Sequence, residues 1–127
     1  MDFNSQKPIF LQIYDLVLEQ ILNNELTEGE RIASVREMAV ITLVNPNTVQ
    51  RAYAELQAKG ILTQQRGVGY FIASGAKTLA LNIRKDEFMC IQLPLLLRQM
   101  KLLGISWEEL QDVSHSRQAV IPVNTGI

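Results

Sequence analysis

Cysteine and histidine are almost absent from this sequence, with one of each among its 127 residues. A single cysteine, Cys90, excludes a disulfide within the chain and a zinc site built from a cysteine cluster. A single histidine, His115, cannot form a multi-histidine metal site, and its serine-rich surroundings favour a surface position. Because apolar residues surround Cys90, we expect a buried thiol rather than a nucleophile. The sequence therefore predicts neither a bound metal nor a cofactor.

Long apolar runs and a large charge of one sign are also missing. No stretch is long enough to span a bilayer, and the start MDFNSQKP lacks the basic and apolar regions of a signal peptide. We therefore expect a cytoplasmic protein. The formal net charge of −1 argues mildly against nucleic acid as a partner. Residues 31–75 nevertheless carry five cations against two carboxylates, so a positive working face is compatible with the sequence.

The residue groupings that enzymes need are absent as well. The sequence shows no paired carboxylates with perturbing neighbours, no nucleophile–base pair and no phosphate-binding loop. Its hydrophobic content of 47% with 20% charged residues is typical of a globular protein. The length suits one ordinary domain, or a small domain with an appendage. We therefore expect a binding protein and not an enzyme.

Residues 45–60, NPNTVQRAYAELQAKG, predict a short helix with two different faces. Asn45 suits the N-cap, Pro46 the first helical position, and Gly60 the left-handed residue that closes a helix. One apolar stripe follows the helical period, at Val49, Ala52, Tyr53 and Leu56. The side chains away from this stripe are polar: Asn47 and Arg51, flanked by Thr48 and Gln50. The first two turns thus carry one cation and no carboxylate on a face that the major groove of DNA could admit, although an ordinary solvated helix face would look the same.

The segment before this helix predicts two further helices. The first covers residues 8–23, with an apolar stripe at Phe10, Ile13, Tyr14, Val17, Ile21 and Leu22. Ser34 and Glu37 form a capping-box pattern that begins the second, so that residues 34–53 read as a helix-turn-helix. Arg36 lies in the first turn of the second helix, where free amides and a guanidinium could both face a phosphate. The alternative for Arg36 is a solvated side chain.

A β-hairpin is predicted over residues 61–73. Two apolar, β-prone runs, ILTQQ and YFI, flank the turn segment RGVG. The tip holds Arg66 next to Gly67, whose lack of a side chain lets the backbone approach another molecule closely. Three helices with such a hairpin make a winged helix, and we expect its arginine in a minor groove or on a phosphate.

Residues 78–103 are mostly helical in pattern and strongly apolar. A heptad seam runs through Met89, Leu93, Leu96, Met100 and Leu103. A second row at spacing seven contains Phe88, Leu95 and Leu102. Two apolar rows predict two partners, one being the last helix of the same chain, over residues 106–117, and the other a second subunit. Pro94 cannot donate to the Cys90 carbonyl, which predicts a kink there.

Several of these phrases resemble a known family. The stretch ERIASVREMAVITLVNPNTVQRAYAELQAKGILTQQRGVGYFI is similar to the DNA-binding domain of the GntR family of bacterial transcription regulators, and VNPNTVQRAYAELQAKGIL and QRGVGYFI to its small YtrA-like branch. The resemblance implies a winged helix-turn-helix over residues 7–75, followed by a helical dimerisation tail over residues 76–127. It also implies DNA contacts at Arg36, Asn47, Thr48, Gln50, Arg66 and Gly67, to which helix geometry adds Arg51. The chain departs from the family pattern at Ala33, where proline is frequent, and at Pro46 or Gln50, where many relatives have arginine, so base preference does not transfer.

The expected protein is mainly α with a small β-wing, and it works as a dimeric, sequence-specific regulator on double-stranded DNA, with repression as the expected outcome. A two-fold dimer reads two half-sites and gains the avidity of both. The alternative is a winged-helix protein-interaction module that does not bind DNA, which would need an exposed apolar recognition face. Whether a small-molecule effector releases the DNA is open, and the crevice between tail and winged helix is the first place to look for one.

Overall fold

The structure, a computed structural model, describes residues 7–117 and is mainly helical with one two-stranded antiparallel sheet. The helices and strands in chain order are α1 (Ile9–Leu22), α2 (Val35–Thr42), α3 (Pro46–Ala58), β1 (Leu62–Gln65), β2 (Gly69–Ile72), α4 (Ala76–Glu87), a π-helical turn (Phe88–Gln92), α5 (Leu93–Leu103) and α6 (Trp107–Arg117). This order confirms the predicted fold class, an N-terminal winged helix followed by further helices. The chain divides into two compact units between Lys85 and Asp86, and residues 118–127 of the predicted tail lie outside the described residues.

The core of the first unit forms where α1, α3 and the hairpin bury their apolar sides. The predicted stripe of α3 is fully buried, and so is most of the predicted stripe of α1. Leu18 is also buried on α1, although the predicted apolar stripe did not include it. Tyr53 is the largest fully buried side chain, and its hydroxyl donates to the carbonyl of Ala33 at 2.7 Å. Burial raises the pKa of the Tyr53 hydroxyl, which therefore stays protonated and able to donate.

The start of α2 is held by the capping box that the sequence predicted. The amide of Glu37 donates to Oγ of Ser34 at 3.1 Å, and the amide of Ser34 donates to Oε1 of Glu37 at 2.8 Å. The pKa of Glu37 lies below its ordinary value. The largest cause is the hydrogen bond from the Ser34 backbone, and the bond with the Ser34 side chain and the charge of nearby Arg31 lower the pKa further. The charged carboxylate is thus the form that stabilises this helix end.

Glu37→Gln is expected to flatten the acid side of the stability profile. A carboxyl whose folded pKa is depressed adds stability above its unfolded pKa and loses it as the pH falls through the folded pKa. Glutamine keeps an oxygen acceptor for the Ser34 amide but does not titrate. The melting temperatures of the two proteins should therefore differ most at neutral pH and converge as the pH falls below the ordinary pKa of glutamate and through the lowered folded pKa. Glu108→Gln, in the exposed first turn of α6, controls for the loss of one carboxylate, and an unchanged gap across this range would contradict the expectation.

The hairpin pairs β1 with β2 in the register Leu62–Ile72 to Gln65–Gly69. Residues 30–32 lie along the other edge of β2, where the Ile32 amide donates to the Tyr70 carbonyl at 3.0 Å and the Ile72 amide to the Glu30 carbonyl at 2.8 Å. Residues 30–32 therefore pair with β2 through a single β-bridge, between Arg31 and Phe71. Gly60, with φ of 81°, ends α3 as predicted and turns the chain directly into β1.

Helix α4 begins in the core of the first unit. Ala76 and Ala80 are fully buried there, and the amide of Gly75 donates to the carboxylate of Glu28 at 2.8 Å. The division between the two compact units therefore falls near the end of α4, between Lys85 and Asp86. We had placed the domain boundary earlier, at Gly75. Small side chains account for the difference, because alanine gives little hydrophobic signal in a sequence yet allows close packing of a helix.

The second unit contains the irregular helical turn that Pro94 imposes. The amide of Leu93 donates to the carbonyl of Phe88, five residues back, which is the π-helical pattern. The chain absorbs the missing donor of Pro94 by widening one turn, at the position where we had predicted a kink. The prediction for Cys90 was wrong, because the thiol lies in this turn and is exposed.

Apolar side chains are exposed along the helices of the second unit. Trp107 and Val113 of α6 are exposed in the single chain, as are several leucines of α5. Ser106 and Glu109 form a capping box at the start of α6, and His115 is exposed as expected. Across residues 7–117, no single helix is both long and apolar enough to cross a bilayer, and residues 76–103 and 107–116 meet these criteria only as a bent pair.

Candidate nucleic-acid interface

The outward side of α3 presents a polar row of the kind expected from the sequence. Asn47, Gln50 and Arg51 are exposed and Thr48 is half-buried, while the opposite stripe of the helix is fully buried. The first carboxylate of α3, that of Glu55, comes one turn later and is half-buried. The first two turns therefore offer amide, hydroxyl and guanidinium groups, the side-chain types that pair with base edges and phosphates.

The backbone at the start of α3 is already satisfied by Asn45. Its side chain accepts from the amide of Asn47 at 2.8 Å, and its carbonyl accepts from the amides of Thr48 and Val49 at 2.9 and 3.2 Å. Pro46 has no amide to offer. A partner at this end of the helix would therefore meet side chains rather than free backbone donors.

Arg51 lies against the first helix. Its guanidinium stacks on the ring of Phe10 with 3.8 Å between the guanidinium carbon and the ring centroid, a cation–π contact. The two residues border a surface depression of about 360 Å³ together with Pro8, Ile9, Asn47 and Thr48. The structure thus brings three of the predicted DNA-contact residues, Asn47, Thr48 and Arg51, to one concave surface.

Gln50 is held from the other side, by the wing. Its Nε2 donates to the hydroxyl of Tyr70 in β2 at 3.2 Å. The Tyr70 ring packs edge-on against Tyr53, so a residue of the hydrophobic core contacts an exposed residue of the recognition face. The carboxamide of Gln50 keeps one N–H and its oxygen for another partner.

Arg36 stands at the N-terminal end of α2 and is exposed. Within the part of the chain that the structure describes, the amides of Val35 and Arg36 have no hydrogen-bond partner, unlike the amides at the start of α3. A helix end with free amides and an adjacent guanidinium is suited to a phosphate. Arg36 also lines an open, apolar groove of about 420 Å³ with Glu37, Val40 and Ile41. Val40 and Ile41 are both exposed on this groove.

Leu43 connects α2 to α3 in a backbone conformation that leucine rarely adopts. Its φ and ψ are 56° and 42°, in the left-handed region, and its side chain is 91% exposed. A non-glycine residue pays about 1–2 kcal/mol for this conformation, and an exposed side chain regains little of it by packing.

Leu43→Asn is expected to stabilise the protein by about 0.5–1 kcal/mol, because asparagine tolerates the left-handed region better. Leu43→Ala is the matched control, since it removes the same exposed apolar surface but keeps the unfavourable conformation. Chemical denaturation of the two variants measures the difference. Equal stability of both variants would show that the turn is not strained at this residue.

The wing tip carries Arg66 and Gly67, both exposed, and Gly67 has a φ of 78° that suits glycine. Arg31 forms a β-bridge with Phe71, and its guanidinium crosses Gly69, next to the wing tip, so closely that a Cβ there would stand 2.7 Å from Nε. Among residues 7–117, neither Arg31 nor Arg66 forms an ion pair with a carboxylate. Both side chains thus remain available to an anion such as a phosphate.

The predicted seam of the tail is only partly exposed. Met89, Leu96 and Leu103 are exposed and Leu93 is half-buried, but Met100 is 6% exposed in the single chain. The π-helical turn also adds a residue between Met89 and the positions of α5, which changes their angular relation. The seam available to a partner is therefore carried mainly by Leu96 and Leu103.

Three candidate site residues escaped the sequence analysis. Phe10 was assigned to the core stripe of α1, Tyr70 to the wing, and Arg31 only to the local excess of cations. Tyr70 contacts a residue twenty positions away in the chain, and Phe10 one still farther, so helical or strand periodicity holds no trace of either pairing. An aromatic residue at the edge of a predicted core face is the one hint that the sequence offers.

Comparisons with known proteins agree with this geometry. The sequence model of the family described as "Bacterial regulatory proteins, gntR family" matches residues 10–72. The chain is 44% identical over 108 residues to the uncharacterized HTH-type transcriptional regulator YhcF of Bacillus subtilis, covering 85% of this chain and 88% of that protein. It is 36% identical over 112 residues to the HTH-type transcriptional repressor YtrA of the same organism, covering 88% and 85%. A solved structure described as a GntR family transcriptional regulator from Listeria monocytogenes matches this chain with a TM-score of 0.73 at 29% identity. The match covers 90% of this chain and 98% of that chain.

Proposed function

Because the chain belongs to the GntR family of bacterial regulatory proteins, and so to a class of transcriptional regulators that bind DNA, we propose that it acts as a homodimeric repressor. Each protomer places α3 in a major groove of one half of a palindromic operator. Asn47, Gln50 and Arg51 read base edges, Thr48 and Arg36 contact the backbone, and Arg66 with Gly67 anchors the wing. The protein works in the cytoplasm, where the chromosome lies.

The observation that carries this proposal is the composition of the outward side of α3. Its first two turns expose amide and guanidinium groups, include no carboxylate, and are backed by a stripe that is fully buried. A rigid helix with such a surface is what base recognition in the major groove requires. The free amides beside Arg36 add a phosphate site that would fix the register of α3 on the duplex.

The tail supports the homodimer. Leu96 and Leu103 expose apolar surface on α5, one heptad apart, and a second copy of the same helix would bury it. Similarity to a protein named as a repressor supports repression as the outcome. A second copy also doubles the number of bases read, which a single short helix needs for specificity.

Selection of bound sequences from random duplexes, run at two salt concentrations, tests the proposal. The expected result is one enriched palindrome, with affinity that falls steeply as salt rises. Sedimentation of the protein alone should show a dimer. Failure to enrich any sequence over scrambled competitor, or a persistent monomer, would refute the function proposed here.

A protein-interaction module is the second candidate, and one observation favours it. Val40 and Ile41 are exposed on α2 and border the apolar groove beside Arg36. This surface lies on α2, whereas the proposed recognition face of α3 is polar. If the chain were such a module without DNA binding, no duplex would be enriched over scrambled competitor, whereas an enriched operator would rule this candidate out.

A further inference from the structure

Tyr70 connects the hydrophobic core of the wing to the outward face of α3. Its side chain is 7% exposed, and its hydroxyl accepts the hydrogen bond from Nε2 of Gln50 at 3.2 Å. The ring meets that of Tyr53 edge-on, with centroids 5.1 Å apart and planes at 80°. Gln50 and Tyr53 are three residues apart on α3 and therefore neighbours on its surface. One packed ring thus supports both a core residue and a recognition residue.

The hydrogen bond restricts Gln50 without using up its capacity. A carboxamide has two N–H donors and an acceptor oxygen, so one donor and the oxygen remain after the bond to Tyr70. Glutamine reads N7 and N6 of adenine with one donor and one acceptor. A glutamine on an open helix surface samples many rotamers, and ordering it on binding is unfavourable. A partner that orders it beforehand removes part of this cost.

We propose that Tyr70 is a positioning residue that holds the carboxamide of Gln50 for reading a base edge. The proposal rests on the proposed function and on Gln50 as one of its base contacts. Tyr70 then affects sequence preference from within the wing, through a side chain of α3, without touching the DNA. The hydroxyl alone carries this role, while the ring serves packing.

Tyr70→Phe separates the two parts, because it keeps the ring and removes only the hydroxyl. Tyr53→Phe is the matched control, since it removes a hydroxyl from the adjacent ring that is bonded to the carbonyl of Ala33 instead. In the free protein, NMR of the side-chain amide of Gln50 should show lower order in Tyr70→Phe than in the wild type. Tyr53→Phe should lower the melting temperature but leave that amide signal unchanged.

DNA-binding measurements then compare four proteins: the wild type, Tyr70→Phe, Gln50→Ala and the double variant. Each is tested on the selected operator and on its single-base variants. Tyr70→Phe should reduce discrimination about three- to tenfold at one position of each half-site, a fraction of what a complete base contact supplies. Gln50→Ala should affect the same position. In the Gln50→Ala background, Tyr70→Phe should have no further effect on preference.

The outcomes distinguish failure of the role of Tyr70 from failure of the proposed function. Wild-type discrimination at every position in Tyr70→Phe, or an equal loss in the Gln50→Ala background, would overturn the role of Tyr70 and leave the regulator intact. An unchanged Gln50 amide signal in Tyr70→Phe would do the same. A wild-type protein that prefers no sequence would refute the proposed function, and the role of Tyr70 with it.

Discussion

Replacement of both Arg36 and Arg66 by alanine is expected to weaken binding to every duplex, preferred or scrambled, by at least about 100-fold near 0.1 M salt. Neither side chain forms an ion pair within residues 7–117, so their charge is free for phosphates. Each lost phosphate contact lowers the slope of log K against log salt by about one. A dimer loses two phosphate contacts per protomer, so the magnitude of the slope should decrease by about four.

The control removes the same charge from elsewhere. Lys85 and Lys101 are exposed on α4 and α5, which are not among the elements assigned to DNA, and their double alanine variant should bind nearly as the wild type does. Titrations of both variants at four or more salt concentrations give the slopes directly. If the two double variants lost affinity equally, net charge rather than the placement of Arg36 and Arg66 would govern binding.

Leu96→Lys is expected to convert the proposed dimer into a monomer and to reduce operator affinity by about 100-fold or more, because the second half-site would no longer add avidity. Leu96 is 42% exposed, so a lysine there can reach solvent in the single chain and leave its fold intact. In a dimer seam, the same ammonium would be buried opposite its symmetry mate without a partner.

Leu102→Lys provides the comparison within the same helix. Leu102 belongs to the second apolar row and is 81% exposed. Sedimentation and operator binding of the two variants show which row faces the partner. A dimeric Leu96→Lys beside a monomeric Leu102→Lys would move the interface to the second row, and two dimers would place it outside α5.

Local signals in the sequence predicted the N-terminal unit well. Ser34 with Glu37, Asn45 with Pro46, and Gly60 each act within a few residues, so the caps of α2 and α3 followed from chain neighbours alone. The helix-turn-helix and the wing then followed from their order. The conformation of Leu43 did not, because leucine carries no turn signal and is held there by the elements on either side.

Contacts between distant segments account for most of what was missed. The pairing of Phe10 with Arg51 and of Gln50 with Tyr70 depends on how α1 and the wing pack against α3, which no single-segment pattern records. Ala76 and Ala80 are buried because their small size lets α4 approach the core. Pro94 indicated where the tail helix would deviate, but a widened turn and a kink are two solutions to the same missing donor. The contacts of the site residues with DNA remain predictions.

Asn45 has a consequence for how such a regulator could acquire new targets. Its side chain accepts the amide of Asn47, so the helix end depends on Asn45 and on the backbone of Asn47 but not on the Asn47 side chain. Exposed substitutions without a structural duty usually change folding free energy by about 0.5 kcal/mol or less. Exchanging Asn47 should therefore change which DNA sequences such a regulator prefers at little cost in folding.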